Sequence, residues 1–385
     1  MKTILLAVSG SIAFYKAYEL ISLFKKEGFG VKVLLSKGAL KFATPASFEA
    51  LCDALLHEGN ESWSGTNNHI AFSKDADVVL LAPASANSIN KLAQGIADTL
   101  FIQTLLACPP AKLIIAPAAN TAMFLHFSTQ NSLALLEKNG ATLIPPVRKK
   151  LACKDEGVGG LAPLEAIFAR TKRELLRADF WRGKSVIITG GGTRERIDCV
   201  RCVSNFSSGK MAKALADAFY FSGAEVVFLS AVGLSVPYIL ECFESSQDLK
   251  KLLEKYKKAD FLVMAAAVSD FVPEFHEGKL KKRDFPKGLV LNLKPGEDLL
   301  ANTPFEGKKI GFKMEFDAEN ALENTRAALE EKRLDMICLN ILGEKNHFGS
   351  EENELYCITP WKLEKSPLCP KKDLAYWLVR RCEGL

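Results

Sequence analysis

The sequence predicts an α/β fold with two doubly wound, Rossmann-like domains, one in each half of the chain. Short apolar runs alternate with amphipathic stretches, as in parallel sheets covered by helices on both faces. This alternation pauses at the junction Asp179–Lys184 and starts again at Ser185. The 385 residues, 48% of them hydrophobic, are enough for two separate cores. We therefore expect domains at residues 1–178 and 183–385.

The first half is predicted to contain four buried strands, each followed by a helix, and a short fifth strand. The strands are rich in Val, Leu and Ile, and the helices repeat apolar residues at helical spacing. A charged helix at Leu164–Arg177 closes the domain, since no strand follows it directly. The expected strands are Thr3–Val8, Val31–Leu35, Val78–Ala82, Leu113–Ala116 and Thr142–Ile144, and the helices are Ala13–Lys26, Ser47–Leu56, Ser85–Ala93 and Gln130–Asn139.

The second half repeats the alternation and adds a Lys-rich arm at Phe271–Leu293, which is predicted to be a hairpin or a loop. Ligands of such sheets bind beyond the carboxyl ends of the strands, so the turns after the strands are the places to search. The expected strands are Ser185–Thr189, Glu225–Leu229, Phe261–Ala265, Lys309–Phe312, Met336–Leu339 and Glu354–Ile358, and the helices are Met211–Ser222, Ser246–Lys257, Ala318–Lys332 and Asp373–Cys382.

Charge and hydropathy narrow the function classes. The net charge of +5 suits small anionic substrates and does not argue for nucleic acid. The apolar run Ile4–Val8 is short and predicts a buried strand, not an export signal. No uninterrupted apolar stretch approaches the length that spans a membrane.

The ten cysteines are scattered, so we expect reduced thiols and a cytoplasmic enzyme. Cys199 and Cys202 form a CxxC without a second pair, which argues against a metal or redox role.

Three turns of the first half carry polar residues after strands. Ser9–Ala13 opens a helix with small residues, which suits a phosphate but also suits an ordinary tight turn. Ser85 is placed to cap the next helix, with or without a ligand beside it. Asn120 follows the fourth strand, where its amide can bind a carboxylate or an amide.

Together these segments resemble the flavoprotein family that decarboxylates peptidyl or pantothenoyl cysteine. The resemblance covers residues 1–170 and implies a flavodoxin-like domain that binds FMN. It also implies oxidation of the thiol-bearing carbon of the substrate, followed by loss of carbon dioxide. The matching segments are residues 9–16, 42–45, 68–70, 83–88, 95–98 and 117–124.

The same resemblance implies roles for individual residues. His69 matches the essential histidine, Asn120 the substrate-binding asparagine, and Cys153 the reducing cysteine on a mobile flap. The chain departs from the pattern in two regions: beside Asn120, where Ala119 replaces Met and Phe124 replaces Trp, and in the flap, where Lys154 replaces a glycine and Gly160 and Leu161 replace Arg-Met. The residues expected to contact FMN are Ser9, Gly10, Ser11, Ser36, Ser85, Ala86, Asn87 and Asp98.

The strongest signal in the second half is the run from Ile188 to Met211. Its glycines after a strand suit nucleotide phosphates, and Ser207–Lys210 before a helix suits an anion. Neither a GxGxxG nor a Walker A pattern is present. The run resembles the phosphopantothenate–cysteine ligase family of the bacterial, CTP-using type, over residues 183–382.

This second resemblance implies activation of the phosphopantothenate carboxylate by CTP with Mg²⁺, and then displacement of CMP by the amine of cysteine. Asn205 would hold the acyl intermediate, Arg201 would assist, and Lys279 of the arm would bridge the CTP phosphates. No Mg²⁺ ligands are assigned. The expected nucleotide contacts are Met264, Ala265, Ala266, Asp270, Lys279, Glu297, Asp298, Leu299, Leu300, Phe312 and Lys332, and the expected contacts of the substrate phosphate are Ser207, Ser208, Gly209 and Lys210.

The second half departs from the ligase pattern at a few positions. Lys313-Met314 and Ala328 differ from it, which bears on nucleotide selectivity.

The sequence leaves three alternative functions open: a catalytically silent regulatory flavoprotein, a ligase with an inactive flavin half, and a flavin prenyltransferase. Cys153, His69 and the second domain argue against the first, and Cys153 and the second domain argue against the third. The resemblances imply a homo-oligomer, with trimeric contacts of the flavin domain and dimeric contacts of the ligase domain.

Overall fold

The computed structural model describes residues 1–150, 156–316, 318–343 and 349–385. The chain divides into two compact units, Met1–Leu176 and Arg177–Leu385. Each unit is built on its own mixed α/β layers around a largely parallel sheet. The predicted fold class is confirmed.

The first unit contains a six-stranded parallel sheet in the order β3-β2-β1-β4-β5-β6, and a separate hairpin of β7 and β8. Its strands alternate their side chains between the two faces, so that Leu6 and Leu5 belong to different apolar clusters. The strands are β1 (Thr3–Val8), β2 (Gly30–Leu35), β3 (Ala54–Leu56), β4 (Val78–Ala84), β5 (Leu113–Pro117), β6 (Thr142–Leu143), β7 (Val147–Lys150) and β8 (Glu156–Gly160).

Helices cover both faces of this sheet, because each face presents buried aliphatic side chains. The first and last helices pack on one face, and most of the others pack on the opposite face. The helices are α1 (Lys16–Lys26), α2 (Pro45–Glu49), α3 (His69–Asp75), α4 (Ala86–Gln94), α5 (Leu100–Leu106), α6 (Thr121–Leu125), α7 (Phe127–Lys138) and α8 (Leu164–Leu176).

The helix predicted at Ser47–Leu56 is wrong in its second part. The helix ends at Glu49, and Ala54–Leu56 is a strand beside β2. The reason is Asp53, whose carboxylate accepts a hydrogen bond from the Val31 N–H at 2.7 Å, while its own N–H donates to the Val31 carbonyl at 2.8 Å. These bonds hold the following residues in register with β2, and a short-range pattern does not reveal them.

The second unit contains an eight-stranded sheet in the order β13-β12-β9-β14-β17-β18-β20-β21. The first six of these strands are parallel, and β20 and β21 extend the edge in antiparallel fashion. The strands are β9 (Ser185–Gly190), β10 (Arg194–Arg196), β11 (Cys202–Ser204), β12 (Glu225–Ser230), β13 (Ile239–Cys242), β14 (Phe261–Met264), β15 (Phe271–Pro273), β16 (Leu293–Pro295), β17 (Lys308–Glu315), β18 (Met336–Ile341), β19 (Glu352–Asn353), β20 (Tyr356–Ile358), β21 (Leu363–Lys365) and β22 (Cys369–Pro370).

The Lys-rich arm is a two-stranded ribbon, since β15 pairs with β16 in antiparallel fashion. The last predicted strand starts at Tyr356 instead of Glu354, and β13 was not predicted. None of the helices in the described residues is long and apolar enough to cross a membrane. The helices are α9 (Lys210–Phe221), α10 (Ser246–Lys255), α11 (Leu299–Asn302), α12 (Ala318–Glu331) and α13 (Lys371–Cys382).

Candidate functional sites

A cavity of about 760 Å³ lies in the first unit at the carboxyl ends of β1, β4 and β5. It is lined by Gly10 and Ser11 after β1, by Ser85 and Ala86 after β4, and by Asn120 after β5. Parallel strands bring their carboxyl ends to one edge of the sheet, so three turns that are distant in sequence meet there. Five of the predicted contact residues therefore share one cavity.

Ser9 is buried beneath this cavity and does not line it. Its hydroxyl donates to the Pro83 carbonyl at 2.6 Å and accepts from the Ser85 N–H at 2.7 Å. Both bonds are internal, so the side chain joins the turn after β1 to the turn after β4. Ser85 in turn caps α4, because its hydroxyl accepts the Ser88 N–H at 3.3 Å.

The turns after β1 and β2 touch each other at two glycines. A Cβ on Gly10 would lie 2.8 Å from the Cα of Gly38, so no side chain fits there. Ser36 stabilises the second turn, since its hydroxyl accepts the Ala39 N–H at 3.1 Å. Ser36 supports the turn and does not line the cavity. Gly38 was not singled out from the sequence.

Asn120 begins α6, and its side-chain oxygen accepts the Ala122 N–H at 2.9 Å. A hairpin of β7 and β8, here called the flap hairpin, packs against this turn. The Ala119 N–H donates to the Gly159 carbonyl at 2.9 Å. Gly159 has a φ of +140°, and a Cβ there would lie 2.3 Å from the Ala119 carbonyl oxygen. Glycine at this position thus lets the flap hairpin approach Asn120 closely.

The predicted reducing cysteine, Cys153, and its neighbour Lys154 lie outside the described residues. They belong to the segment that connects the two strands of the flap hairpin. Gly160 and Leu161, the other departures from the family pattern, are described and line the cavity.

His69 does not line the cavity. It lies in the first turn of α3, where its Nδ1 is 2.8 Å from a carboxylate oxygen of Glu61. The indole of Trp63 packs edge-on against its ring, with 5.1 Å between the centroids, and that indole is 71% exposed. The histidine is thus held by local partners at the surface of the unit.

Two further predicted FMN contacts also lie outside the cavity. Asn87 is exposed in the first turn of α4. Asp98 forms an ion pair with Lys91, and the hydrogen bond from this lysine lowers the pKa of the carboxyl.

Three lysines line the cavity that were not predicted as site residues: Lys16, Lys149 and Lys150. Burial, together with the nearby charge of Lys16, lowers the pKa of the Lys149 ammonium. Two of these lysines belong to the run Arg148–Lys150, shortly before Cys153. The sequence shows this cationic run but does not indicate which of its side chains faces the cavity.

The second unit has a smaller cavity of about 210 Å³. Ser207–Lys210, which precede α9, lie along it together with Ala265, Ala266 and Phe312. Lys371 also lines it, although it is 161 residues further along the chain than Lys210. Burial lowers the pKa of Lys371, and the charge of Lys210 adds to this effect. Two lysines therefore line one small cavity, and the ammonium of Lys210 also pairs with the Glu351 carboxylate.

The glycine-rich turn after β9 is joined to the turn after β14. The Ala267 N–H donates to the Gly191 carbonyl at 2.9 Å, and the Thr193 hydroxyl accepts the Ser269 N–H at 3.0 Å. A Cβ on Gly192 would lie 2.7 Å from the Asn205 carbonyl oxygen. The Asn205 side chain donates to the Val268 carbonyl at 3.0 Å. These bonds place Asn205 beside the turn after β14, and its neighbour Phe206 lines the 210 Å³ cavity.

Asp198 organises the turn that carries Arg201. Its carboxylate accepts the Val200 and Arg201 N–H groups, each at 2.7 Å, and the Leu280 N–H at 3.1 Å. It also pairs with the Arg201 guanidinium. Burial alone raises the pKa of this carboxyl, but the three backbone donors and the Arg201 charge outweigh burial, so the pKa is lowered. Leu280 follows Lys279, so Asp198 ties the Lys-rich arm to Arg201.

The remaining predicted nucleotide contacts are not gathered around the cavity. Asp298 caps α11 and forms an ion pair with Lys332 at 2.8 Å, so these two predicted contacts pair with each other. Glu297 pairs with Lys250 at 2.7 Å. Met264, Leu299 and Leu300 are buried in the core and offer only backbone groups. Asp270 and Lys279 are exposed and do not line the cavity.

Cys199 and Cys202 are exposed, and neither forms a disulfide. Within the described ranges, no group of three or more His, Cys, Asp or Glu side chains is arranged to hold a metal ion. The described side chains by themselves therefore do not fit a resident metal.

Two family models together span nearly the whole chain. Residues 1–176 match the model described as flavoprotein, and residues 181–385 match the model described as DNA/pantothenate metabolism flavoprotein C-terminal domain. The fold and the two cavities thus define a flavoprotein joined to a domain of pantothenate metabolism.

Full-length relatives narrow this class. The coenzyme A biosynthesis bifunctional protein CoaBC of Bacillus subtilis is 36% identical over 400 residues, with 100% of this chain and 97% of the relative covered. That of Vibrio vulnificus is 33% identical over 398 residues, with 100% and 98% covered. The chain belongs to the family of coenzyme A biosynthesis bifunctional proteins, which combine a decarboxylase and a ligase activity.

Solved structures resemble each unit separately. The C-terminal domain of a coenzyme A biosynthesis bifunctional protein is 27% identical, with a TM-score of 0.45, 54% of this chain covered and 97% of that chain. The structure of the FMN binding protein AtHal3 is 35% identical, with a TM-score of 0.40, 44% of this chain covered and 95% of that chain.

Proposed function

We propose that the first unit decarboxylates phosphopantothenoylcysteine with FMN, and that the second unit joins 4′-phosphopantothenate to L-cysteine with CTP. The observation that carries the proposal is the 760 Å³ cavity, where Asn120 and the flap hairpin meet at the carboxyl edge of the sheet. The family of the chain combines these two classes of activity. The product of the second unit is then the substrate of the first.

The cavity of the first unit fits a flavin in size and chemistry. Its volume of about 760 Å³ lies in the range of cofactor sites. The hydroxyls of Ser11 and Ser85 and the backbone of Gly10 line the cavity and would bind the cofactor, and the apolar remainder would exclude water. FMN would supply the oxidation of the thiol-bearing carbon and, once reduced, the electrons that restore the saturated thiol after carbon dioxide is lost. Asn120 would orient the substrate, and Cys153 on the connecting segment of the flap hairpin would donate a proton to the unsaturated thiol in that last reduction.

We propose that the enzyme is a homo-oligomer, with trimeric contacts of the first unit. His69 is held at the surface of its unit, away from the cavity lining, beside the exposed Trp63. A second copy that brings its His69 to the cavity of the first would complete the site. For the second unit we propose dimeric contacts, supported by the exposed Phe206 and Val290.

In the second unit, Ser207–Lys210 would bind the phosphate of 4′-phosphopantothenate, and Asn205 and Arg201 would hold the activated carboxyl group. Acyl transfer develops negative charge on oxygen, which fixed donors and cations stabilise. Lys279 would approach the nucleotide phosphates from the arm, and Ala265, Ala266 and Phe312 would line the nucleotide. Mg²⁺ would arrive with CTP, since the described side chains offer no cluster for it.

We also propose a cytoplasmic location. The nine cysteines within the described residues are all free, as is usual where thiols stay reduced.

The test is a coupled assay followed by mass spectrometry. The purified full-length chain receives 4′-phosphopantothenate, L-cysteine, CTP and Mg²⁺, and we expect phosphopantetheine and CMP. Cys153→Ser should release CMP and accumulate an unsaturated or undecarboxylated product, and Asn205→Ala should release little CMP. Phosphopantothenoylcysteine without further conversion by the wild-type chain would remove the decarboxylase assignment, and absence of CMP would remove the ligase assignment.

A further inference from the structure

Lys149 of the flap hairpin reaches the cavity across the position of Gly160. A Cβ built on Gly160 would lie 2.2 Å from the Cε atom of Lys149 and 2.8 Å from its Cγ atom. The lysine stem therefore fills the space that any side chain at residue 160 would need. The resembling decarboxylases have an arginine at the position of Gly160. In this chain the cation at that place is instead Lys149, on the paired strand β7.

The ammonium group of Lys149 is only partly satisfied by the protein. It donates to the Leu161 carbonyl at 3.3 Å, whereas an ammonium carries three donors. Neither Lys149 nor Lys16 forms an ion pair with any residue that the structure describes. Burial and the charge of Lys16 both lower the pKa of Lys149. Two like charges at one cavity repel each other, and an anion between them removes that cost.

We propose that Lys149 and Lys16 together bind the dianion of a phosphate monoester in the cavity of the first unit. Two ammonium groups match two negative charges, and charged hydrogen bonds to phosphate are strong in a partly buried site. This inference rests on the proposed function, which supplies two such ligands, FMN and 4′-phosphopantothenoylcysteine. Both carry the same phosphate group, so the experiment must separate them.

The experiment measures equilibrium binding to the full-length chain. Flavin fluorescence compares FMN with riboflavin on the chain stripped of flavin, and calorimetry compares phosphopantothenoylcysteine with pantothenoylcysteine on the flavin-loaded chain. The variants are Lys149→Met, which keeps the length of the stem, and Lys149→Arg, which keeps the charge. Arg148→Met is the matched control, because Arg148 lies on the same strand, is exposed and pairs with Glu156 outside the cavity.

We expect Lys149→Met to weaken one phosphorylated ligand by about tenfold or more, with less than about twofold change for its unphosphorylated counterpart. Lys149→Arg should restore the preference for phosphate. A loss confined to FMN assigns the site to the flavin, and a loss confined to phosphopantothenoylcysteine assigns it to the substrate. Equal weakening of both members of a pair, or a result like that of Arg148→Met, would overturn the proposal.

If the chain binds neither flavin nor substrate, the proposed function is contradicted, but the lysine pair can still be tested. Calorimetry with inorganic phosphate at constant ionic strength then measures binding by the pair directly. Binding that disappears in Lys149→Met but not in Arg148→Met supports the pair, and binding that is indifferent to Lys149 overturns it.

A charge-relocation variant adds an independent test. Gly160→Arg alone should be poorly tolerated, because its side chain would meet the Lys149 stem. Adding Lys149→Gly should restore both folding and the preference for phosphate, since one cation again faces the cavity. Two variants whose effects simply add would contradict this arrangement.

Discussion

The hydroxyl of Ser9 accepts a hydrogen bond from the backbone N–H of Ser85 at 2.7 Å. It also donates to the Pro83 carbonyl, and the side chain is fully buried. One hydroxyl thereby joins the carboxyl ends of β1 and β4, the two strands whose turns form the floor of the 760 Å³ cavity. The residue acts on the site through the turns it connects.

Ser9→Ala should destabilise the first unit, because the half-buried Ser85 N–H loses its partner and the Pro83 carbonyl keeps only the Ser9 backbone N–H, at 3.3 Å. The expected loss in free energy of unfolding is about 1–3 kcal/mol. Urea unfolding monitored by flavin fluorescence measures it, and the flavin content should fall. Ser62→Ala is the control, since its hydroxyl hydrogen-bonds the exposed Ser64, and its change should stay within about 0.5 kcal/mol. Equal effects of the two variants would contradict the bridging role.

Gly159→Ala should separate the two activities of the chain. A methyl group there meets the Ala119 carbonyl and is strained at a φ of +140°, at a cost of about 1–3 kcal/mol. The flap hairpin would move away from Asn120, so decarboxylation should fall at least tenfold while CMP release is unchanged. Gly65→Ala is the control, because its Cβ meets nothing within 4 Å. Parallel loss of both activities would point to general unfolding instead.

Asp198→Asn should impair the ligase activity. The carboxylate binds three backbone N–H groups and Arg201, and charged hydrogen bonds of this kind are stronger than neutral ones. We expect CMP release per enzyme to fall by about tenfold or more, with decarboxylation of supplied phosphopantothenoylcysteine unchanged. Asp284→Asn on the exposed part of the arm is the control.

The same variant has a defined pH dependence. The pKa of Asp198 is lowered in the folded chain, so its contribution to stability is fully present above the ordinary Asp pKa of about 3.9. That contribution is lost as the pH falls through the lower, folded-state pKa. The stability difference between the wild type and Asp198→Asn should therefore be constant near neutral pH and shrink in acid, as urea unfolding at several pH values will measure. A difference that grows in acid would contradict the assignment.

Lys371→Met should weaken binding of 4′-phosphopantothenate. Lys371 lies beside Lys210 at the 210 Å³ cavity and its ammonium donates to the Ser350 carbonyl. We expect the KM for 4′-phosphopantothenate to rise about tenfold while the KM for CTP changes little. Lys372→Met is the control, because Lys372 is exposed on the same helix and does not line the cavity. A rise confined to CTP would place Lys371 with the nucleotide instead.

Local patterns were sufficient for much of the fold. The runs of Val, Leu and Ile predicted the central strands of both sheets, because a strand buried on two faces must be apolar throughout. The glycines of residues 190–192 and the Ser207–Lys210 segment identified the turns around the second cavity. The strand at Ala54–Leu56 was missed, since its register depends on Asp53 bonding to Val31 in a different strand.

The sequence predicted which turns surround the cavity, but it did not predict which side chains on those turns point into it. Gly10, Ser11, Ser85 and Asn120 do share one cavity, because parallel topology gathers the ends of consecutive strands. His69 and Ser9 were expected at the site from the family resemblance; His69 lies at the surface of its unit and Ser9 is buried without lining the cavity. Side-chain direction depends on the hydrogen bonds made by neighbouring turns, which sequence spacing does not encode.

The sequence by itself determined the two α/β units, the family and the turns that carry polar residues. These follow from residue periodicity, from glycines that close turns require, and from motifs that are contiguous along the chain. Only the tertiary structure decided which cations face each cavity, with Lys149 crossing Gly160 in one unit and Lys371 approaching Lys210 in the other. The physical reason is that charge at a site sums over side chains close in space, whatever their separation along the chain.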